Sequence, residues 1–459
     1  MDNPASRSNR AFRPTVIPMR SLSLFSPVFS RLAVLVLGLL STALPAAVAP
    51  DSTSDLRLAV LVTRHGVRSP IYGDDVLGKF SLEAWPKWSV PVGYLTPHGG
   101  KQMELMGAYY LARYRAEGLL TGDPKVDDGR VYFRSDSDQR TIRTAEYIAE
   151  GMLPGIKIEP HARALDTTDP MYRAAMVPVG HPDLDLAVAN VLGRLGGDAA
   201  TLNEACARDL AKVRQVLLGD GPVPAGKVDL RDQPTLVERG TRDHTVNLRG
   251  PVRTAMQVVD NIMLEYAEGM PMDQVGWGRI TRAELTEVLR LHSLYFELTQ
   301  GSPYSARVQG SNLASHILKT LRQAATGQPD PAAFGSPSHR VVMLVGHDSN
   351  IVNLGGLLNM NWWLPGSQRN PVTLGGAMVF ELRQRRADHQ FVVRAYYVTQ
   401  SLDQTRNLEP LTLDHPPGCA PIFIPGCSEK VPGYDAPLDR FEAVLNQAID
   451  PAFVVADPN

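Results

Sequence analysis

One short segment limits the possible folds more than any other. Arg57 to Thr63 (RLAVLVT) is apolar and rich in β-forming residues, the pattern of a strand buried on both faces. It runs without a break into Arg64-His65-Gly66-Val67-Arg68-Ser69-Pro70. Gly66 and Pro70 make that stretch a loop leaving the strand's C-terminal end. A second apolar run, Val341 to Val345 (VVMLV), ends in Gly346-His347-Asp348. Both histidines therefore fall at strand ends, about 280 residues apart in the chain.

The pattern between them alternates. Thr96-Pro97 opens a helical stretch through Met103, Met106 and Tyr110, with Thr as cap and Pro at the first position. Val131-Tyr132-Phe133 is a strand that feeds a helix from Arg140 to Ala149. From 181 to 305 the apolar spacing is helical and strand signals are sparse. Strands return at Val341, at Ala377 to Leu382 and at Phe391 to Val398. The expected fold is α/β: a mostly parallel mixed sheet flanked by helices, formed by 50–180 and 306–459. An inserted all-α domain, 181–305, would cap it. Ligands of such sheets bind at the C-terminal strand ends, where His65 and His347 lie.

Residues 1–49 have their own composition. They carry Arg7, Arg10, Arg13, Arg20 and Arg31 but a single acid, Asp2. The apolar run Leu32 to Leu40 follows, and then small residues ending in Ala47-Val48-Ala49. Basic, apolar, then A-x-A is the layout of a secretory signal peptide cleaved near Ala49, and the run is short for a membrane span. Removing five Arg and one Asp leaves 41 basic against 47 acidic residues, a net charge of −6. That balance argues against nucleic-acid binding. With 44% hydrophobic and 20% charged residues, disorder and coiled coil are excluded as well. The expectation is an exported periplasmic monomer with no stable membrane association. Export permits disulfides. Cys419 and Cys427 flank an extended Pro/Ile-rich piece and are expected to pair, leaving Cys206 over.

Two Arg flank one His in R-H-G-x-R. Guanidinium forks match phosphate oxygens. An imidazole between two cations stays neutral, and so nucleophilic. In G-H-D, His347 can donate to a phosphate oxygen and Asp348 can protonate a leaving alcohol. Arg140 opens a helix after a strand and is a third candidate clamp; Arg143 reads as a solvated helix face. His292 is a weaker pocket candidate. Either short motif alone would more often be structural.

Together, R-H-G-x-R-x-P after an N-terminal strand and a distant H-D resemble the histidine acid phosphatases, a branch of the phosphoglycerate-mutase-like superfamily. The chain is most similar to the bacterial periplasmic phytase and glucose-1-phosphatase group. Further matching stretches are Gly93 to Gly100, Asp138 to Thr144, Gly276 to Thr281 and Gly346 to Asn350. The resemblance implies His65 as the nucleophile that becomes phosphohistidine and Asp348 as the proton donor. It implies Arg64, Arg68, Arg140 and His347 as phosphate ligands, and no metal or cofactor. The substrate would be a small phosphate ester, phytate by preference, with a sugar phosphate as the alternative and a silent phosphate-ester binder as a remote one. Arg307 lies in a stretch similar to a phytase segment with a substrate-contacting Arg. Ile71-Tyr72 stand where phytases often have Thr-Lys, and His347-Asp348-Ser349-Asn350 where many have H-D-T-N.

Overall fold

The computed structural model describes residues 51–176, 180–241 and 244–456. The expected export segment, 1–49, lies outside the described residues. The strands are β1 (Ser54–Arg64), β2 (Val131–Ser135), β3 (Leu236–Arg239), β4 (Val246–Arg249), β5 (Val341–Gly346), β6 (Ala377–Arg385), β7 (Phe391–Thr399), β8 (Gly418–Ile422) and β9 (Ala436–Pro437). The helices that position the site are α1 (Pro97–Ala116), α2 (Gln139–Met152), α3 (Pro251–Ala267), α4 (Arg290–Thr299), α5 (Pro303–Thr326) and α6 (Asp348–Leu357).

Seven strands form one mixed sheet in the order β2-β5-β1-β6-β7-β8, with β9 also on β7. β2, β5 and β1 pair in parallel, because helices carry the chain between them. The later pairings are antiparallel. β1, β2, β5 and β7 thus run one way, and β6, β8 and β9 the other. β1 is central and buried on both faces, as its unbroken apolar run requires. Leu58, Val60 and Val62 pack on one face with Leu313, Ile317 and Leu321 of α5. Ala59 and Leu61 pack on the other with Met103 and Met106 of α1 and Ile148 of α2.

Thr96 caps α1 as expected, its hydroxyl accepting from the Gly99 N–H at 2.9 Å. Gly99 lets α1 press against the site loop: a Cβ there would stand 2.1 Å from the Val67 carbonyl oxygen. Residues of 181–305 join a third apolar core around Val213, Val258, Ile262 and Leu291, which also takes in Val67 and Trp85. This region is not wholly helical. β3 and β4 form a two-stranded antiparallel hairpin, because Val246 and Leu248 alternate inward with period two. Among the described residues, no helix is long and apolar enough to cross a membrane.

The expected Cys419–Cys427 bridge is absent: both thiols are free, as is Cys206. Cys419 lies in β8 with its side chain on the α1/α2 face of the sheet. Cys427 packs into the core of the opposite face, its thiol directed at the Ile424 carbonyl. A sheet stands between them. Burial pushes each thiol up to about 11, so neither is a ready thiolate.

Candidate active site

Arg64 and Gly346 are register partners on adjacent parallel strands, so the next residue of each strand leaves the same sheet edge. His65 and His347 emerge there with ring centroids 5.8 Å apart. The loop is tied back by the His65 N–H to the Gly346 carbonyl at 3.1 Å and the Gly375 N–H to the His65 carbonyl at 3.0 Å. His65 Nδ1 lies 2.9 Å from the Gly66 carbonyl oxygen, which can only accept. Nδ1 therefore carries the proton, and Nε2 keeps its lone pair. Burial, then Arg140, Arg68 and Arg64, hold the imidazole well below its ordinary range. His65 is thus held as a neutral base whose lone pair sits on Nε2.

The guanidiniums around it are held by carboxylates. Arg64 is fully buried. One Nη donates to the Val372 carbonyl at 2.7 Å, and the other pairs with Asp260 at 3.2 Å and Asp348 at 3.1 Å. Arg68 pairs with the second oxygen of Asp260 at 3.1 Å. Asp260 sits on α3, so a helix from the middle of the chain braces both arginines of the loop. Burial works against its charge, yet Arg68 and Arg64 keep its carboxyl below the usual range. Asp348 is governed likewise: burial raises it and Arg64, then His292, bring it lower. His292 on α4 is buried, with Nε2 3.7 Å from Asp260 and 3.9 Å from Asp348. Its own burial depresses its pKa.

A second set of charges orients His347. Its Nε2 lies 2.6 Å from Asp136 Oδ2, and its backbone N–H donates to Asn350 Oδ1 at 2.9 Å. Burial opposes charge on Asp136, but His347 and Arg173 hold that carboxyl far below its ordinary range. Arg173 reaches Asp136 at 2.9 Å and also pairs with Asp138. Arg140 pairs with Asp138 at 2.5 Å. Burial brings Arg140 down to about 10, against the pull of Asp138. Asp136, Asp138 and His347 could offer a metal three ligand atoms within 4.8 Å of one another. Arg173 and Arg140 already face these acids, so the cluster is charge-compensated without an ion.

Arg64, His65, Arg68, Arg140, His347 and Asp348 thus converge, joined by direct contacts or a shared partner. Arg307 does not join that network: it is half exposed on α5, 3.7 Å from Asp450. Arg143 pairs with Glu146 and lies over the Tyr147 ring. Sequence inspection missed Asp260, Arg173 and Asp136. Asp260 had a readable signal, an acid in the apolar run Val258-Val259-Asp260-Asn261-Ile262-Met263. A charge on such a face must be paired or pay heavily in desolvation.

In chemical terms, the site can clamp a tetrahedral dianion among guanidiniums and present an imidazole nitrogen to it. The chain belongs to the histidine phosphatase superfamily (branch 2), whose family model matches residues 55–179 and 257–398. It is 33% identical to Phytase AppA of Escherichia coli (strain K12), over 91% of this chain and 98% of that protein. It is 29% identical to a Glucose-1-phosphatase of Salmonella typhimurium, over 91% and 99% respectively. Its fold superposes on the Hafnia alvei phytase in complex with myo-inositol hexakis sulphate with a TM-score of 0.79, at 31% identity, covering 88% of this chain and all of that one.

Proposed function

We propose that the protein is an exported acid phosphomonoesterase working through a phosphohistidine on His65. The observation that carries this is a His65 held through Nδ1 to the Gly66 carbonyl, which leaves Nε2 as its basic nitrogen, within the field of Arg140, Arg68 and Arg64. Nε2 attacks phosphorus, and the bond from phosphorus to the alcohol oxygen breaks. Asp348 gives its proton to that oxygen. Water then attacks phosphorus, the P–N bond breaks, and the water proton returns to the Asp348 carboxylate, releasing inorganic phosphate. In the resting site Asp348 is held ionised by Arg64. A bound dianion competes for Arg64 and adds like charge, so it raises Asp348 toward the protonated form at acid pH.

Phytate is the proposed substrate, supported by likeness to proteins named as phytases. A sugar phosphate is the second reading, favoured by the uncharged Ile71-Tyr72 beside the loop and by the Glucose-1-phosphatase relative. We also propose that 1–49 directs export to the periplasm, that 181–305 caps an α/β domain, and that the enzyme acts as a monomer. Phosphate release from phytate, glucose 1-phosphate and p-nitrophenyl phosphate, measured with EDTA present beside His65→Ala, tests the reading. Turnover lost in the variant supports it. A wild type inactive on all three contradicts it.

A further inference from the structure

Arg173 belongs to none of the sequence motifs, yet it touches both acids that hold proposed phosphate ligands. Its Nε donates to Asp136 at 2.9 Å, and Asp136 is the partner of His347 at 2.6 Å. Its Nη2 pairs with Asp138, which also takes Arg140 at 2.5 Å, and lies 3.4 Å from His347 Nε2. The backbone is tied down to hold it there. The Arg173 N–H donates to the Asp169 carbonyl at 2.9 Å, closing a turn. That turn is fastened on three sides. The buried Asp169 carboxylate pairs with Arg134 of β2 at 2.8 Å. The Pro170 carbonyl accepts from Asn312 of α5 at 3.0 Å, and the Tyr172 carbonyl from Asn350 of α6 at 2.8 Å. The Arg173 side chain itself is mostly buried.

The charges around the pocket give this placement a purpose. In the resting site, histidines aside, the clamp guanidiniums Arg64, Arg68 and Arg140 stand among four carboxylates. Asp260 and Asp348 face the loop arginines. Asp136 and Asp138 back His347 and Arg140. Arg173 makes the cations four as well. Without it the pocket would be net negative before a dianion arrived. Its two acids would then repel that dianion across a partly buried region, where charges are screened poorly. We propose that Arg173 is a positioning residue that screens Asp136 and Asp138 from the bound phosphate, so that Arg140 and His347 serve the dianion rather than the acids. This rests on the reading that the His65 site binds a phosphate ester. Arg173 acts through its two acids, so its effect falls on affinity and not on the chemical step.

Inorganic phosphate, titrated into the full enzyme by calorimetry, reads affinity without turnover. Arg173→Gln should weaken its binding by about tenfold or more, the effect of one unscreened charge near a dianion. In the same variant kcat on p-nitrophenyl phosphate should change by less than about threefold. Arg173→Lys keeps the charge and should lose about threefold or less in phosphate affinity. Arg173→Gln/Asp138→Asn restores the balance and should recover most of the affinity. Asp138→Asn alone should bind phosphate at least as tightly as wild type, and it decides the matter if Arg173→Gln does not fold. Four results overturn the screening role and leave the phosphatase reading intact: phosphate affinity unchanged in Arg173→Gln, a kcat loss as large as the affinity loss, a double variant no better than Arg173→Gln, or Asp138→Asn weaker than wild type. A wild type that binds no phosphate overturns the screening role too. If it also releases none from p-nitrophenyl phosphate, the phosphatase reading falls with it.

Discussion

The site has two walls of different kinds. One is the edge of the parallel strands, where β1 and β5 hand over His65 and His347-Asp348 side by side. The other is helical: α3 and α4 bring Asp260 and His292 from the middle of the chain. The strand wall is fixed by ladder hydrogen bonds and carries the groups proposed to touch phosphate. The helical wall carries counter-charge. Arg64 and Arg68 could not both stay buried beside a neutral imidazole without Asp260 between them. Reactive groups and the charges that hold them in place are therefore supplied by different parts of the chain.

Substitutions should separate the walls. On the strand wall, His65→Ala should lower kcat by about 10⁴-fold or more, since no other group replaces the nucleophile. Asp348→Asn should lower kcat by about 10²- to 10⁴-fold on alkyl esters and by much less on p-nitrophenyl phosphate, whose alcohol leaves without a proton. Equal losses on both substrates would deny Asp348 the role of acid. On the helical wall, Asp260→Asn should act first on stability. It leaves buried Arg68 without its carboxylate and Arg64 with Asp348 alone, a cost of about 3–5 kcal/mol. Inorganic phosphate should restore much of the lost Tm, because the anion supplies the missing charge. A melt insensitive to phosphate would show that Asp260 does not balance the phosphate cations.

The pH profile sharpens the contrast further. Protonating Nε2 removes the nucleophile, so activity is lost as pH falls through the pKa of His65. Burial and three arginines place that pKa well below 6.5. kcat/KM should therefore not decline as pH falls through 6.5; a loss of activity there would contradict the neutral, cation-ringed imidazole. The smallest effect belongs away from both walls. Cys419→Ser should leave Tm insensitive to reductant, as in the wild type, because the two thiols lie on opposite faces of the sheet.

The strand wall was legible in the sequence because its information is contiguous: an apolar run, a glycine and the charged residues follow one another. The α/β layout followed from the same runs. The helical wall was not legible, because Asp260 meets its partners 192 and 196 positions away. Arg173, too, pairs with Asp136 across 37 positions, with nothing local to mark it. Helix α5 was missed for another reason. Its buried face holds Ser305, Gly310, Ser311, Asn312 and His316, which dilute the apolar period. The cysteines misled because eight positions of separation say nothing about which face of a strand each side chain takes.

The central claim is covalent: phosphate passes through His65. Wild type and Asp348→Asn should be mixed with substrate, quenched in alkali within milliseconds, digested, and read by mass spectrometry. The account predicts an acid-labile phosphoryl group on the peptide containing His65, absent from His65→Ala. An acid-stable phosphoryl group on another residue, or turnover with no labelled peptide in either enzyme, would contradict it.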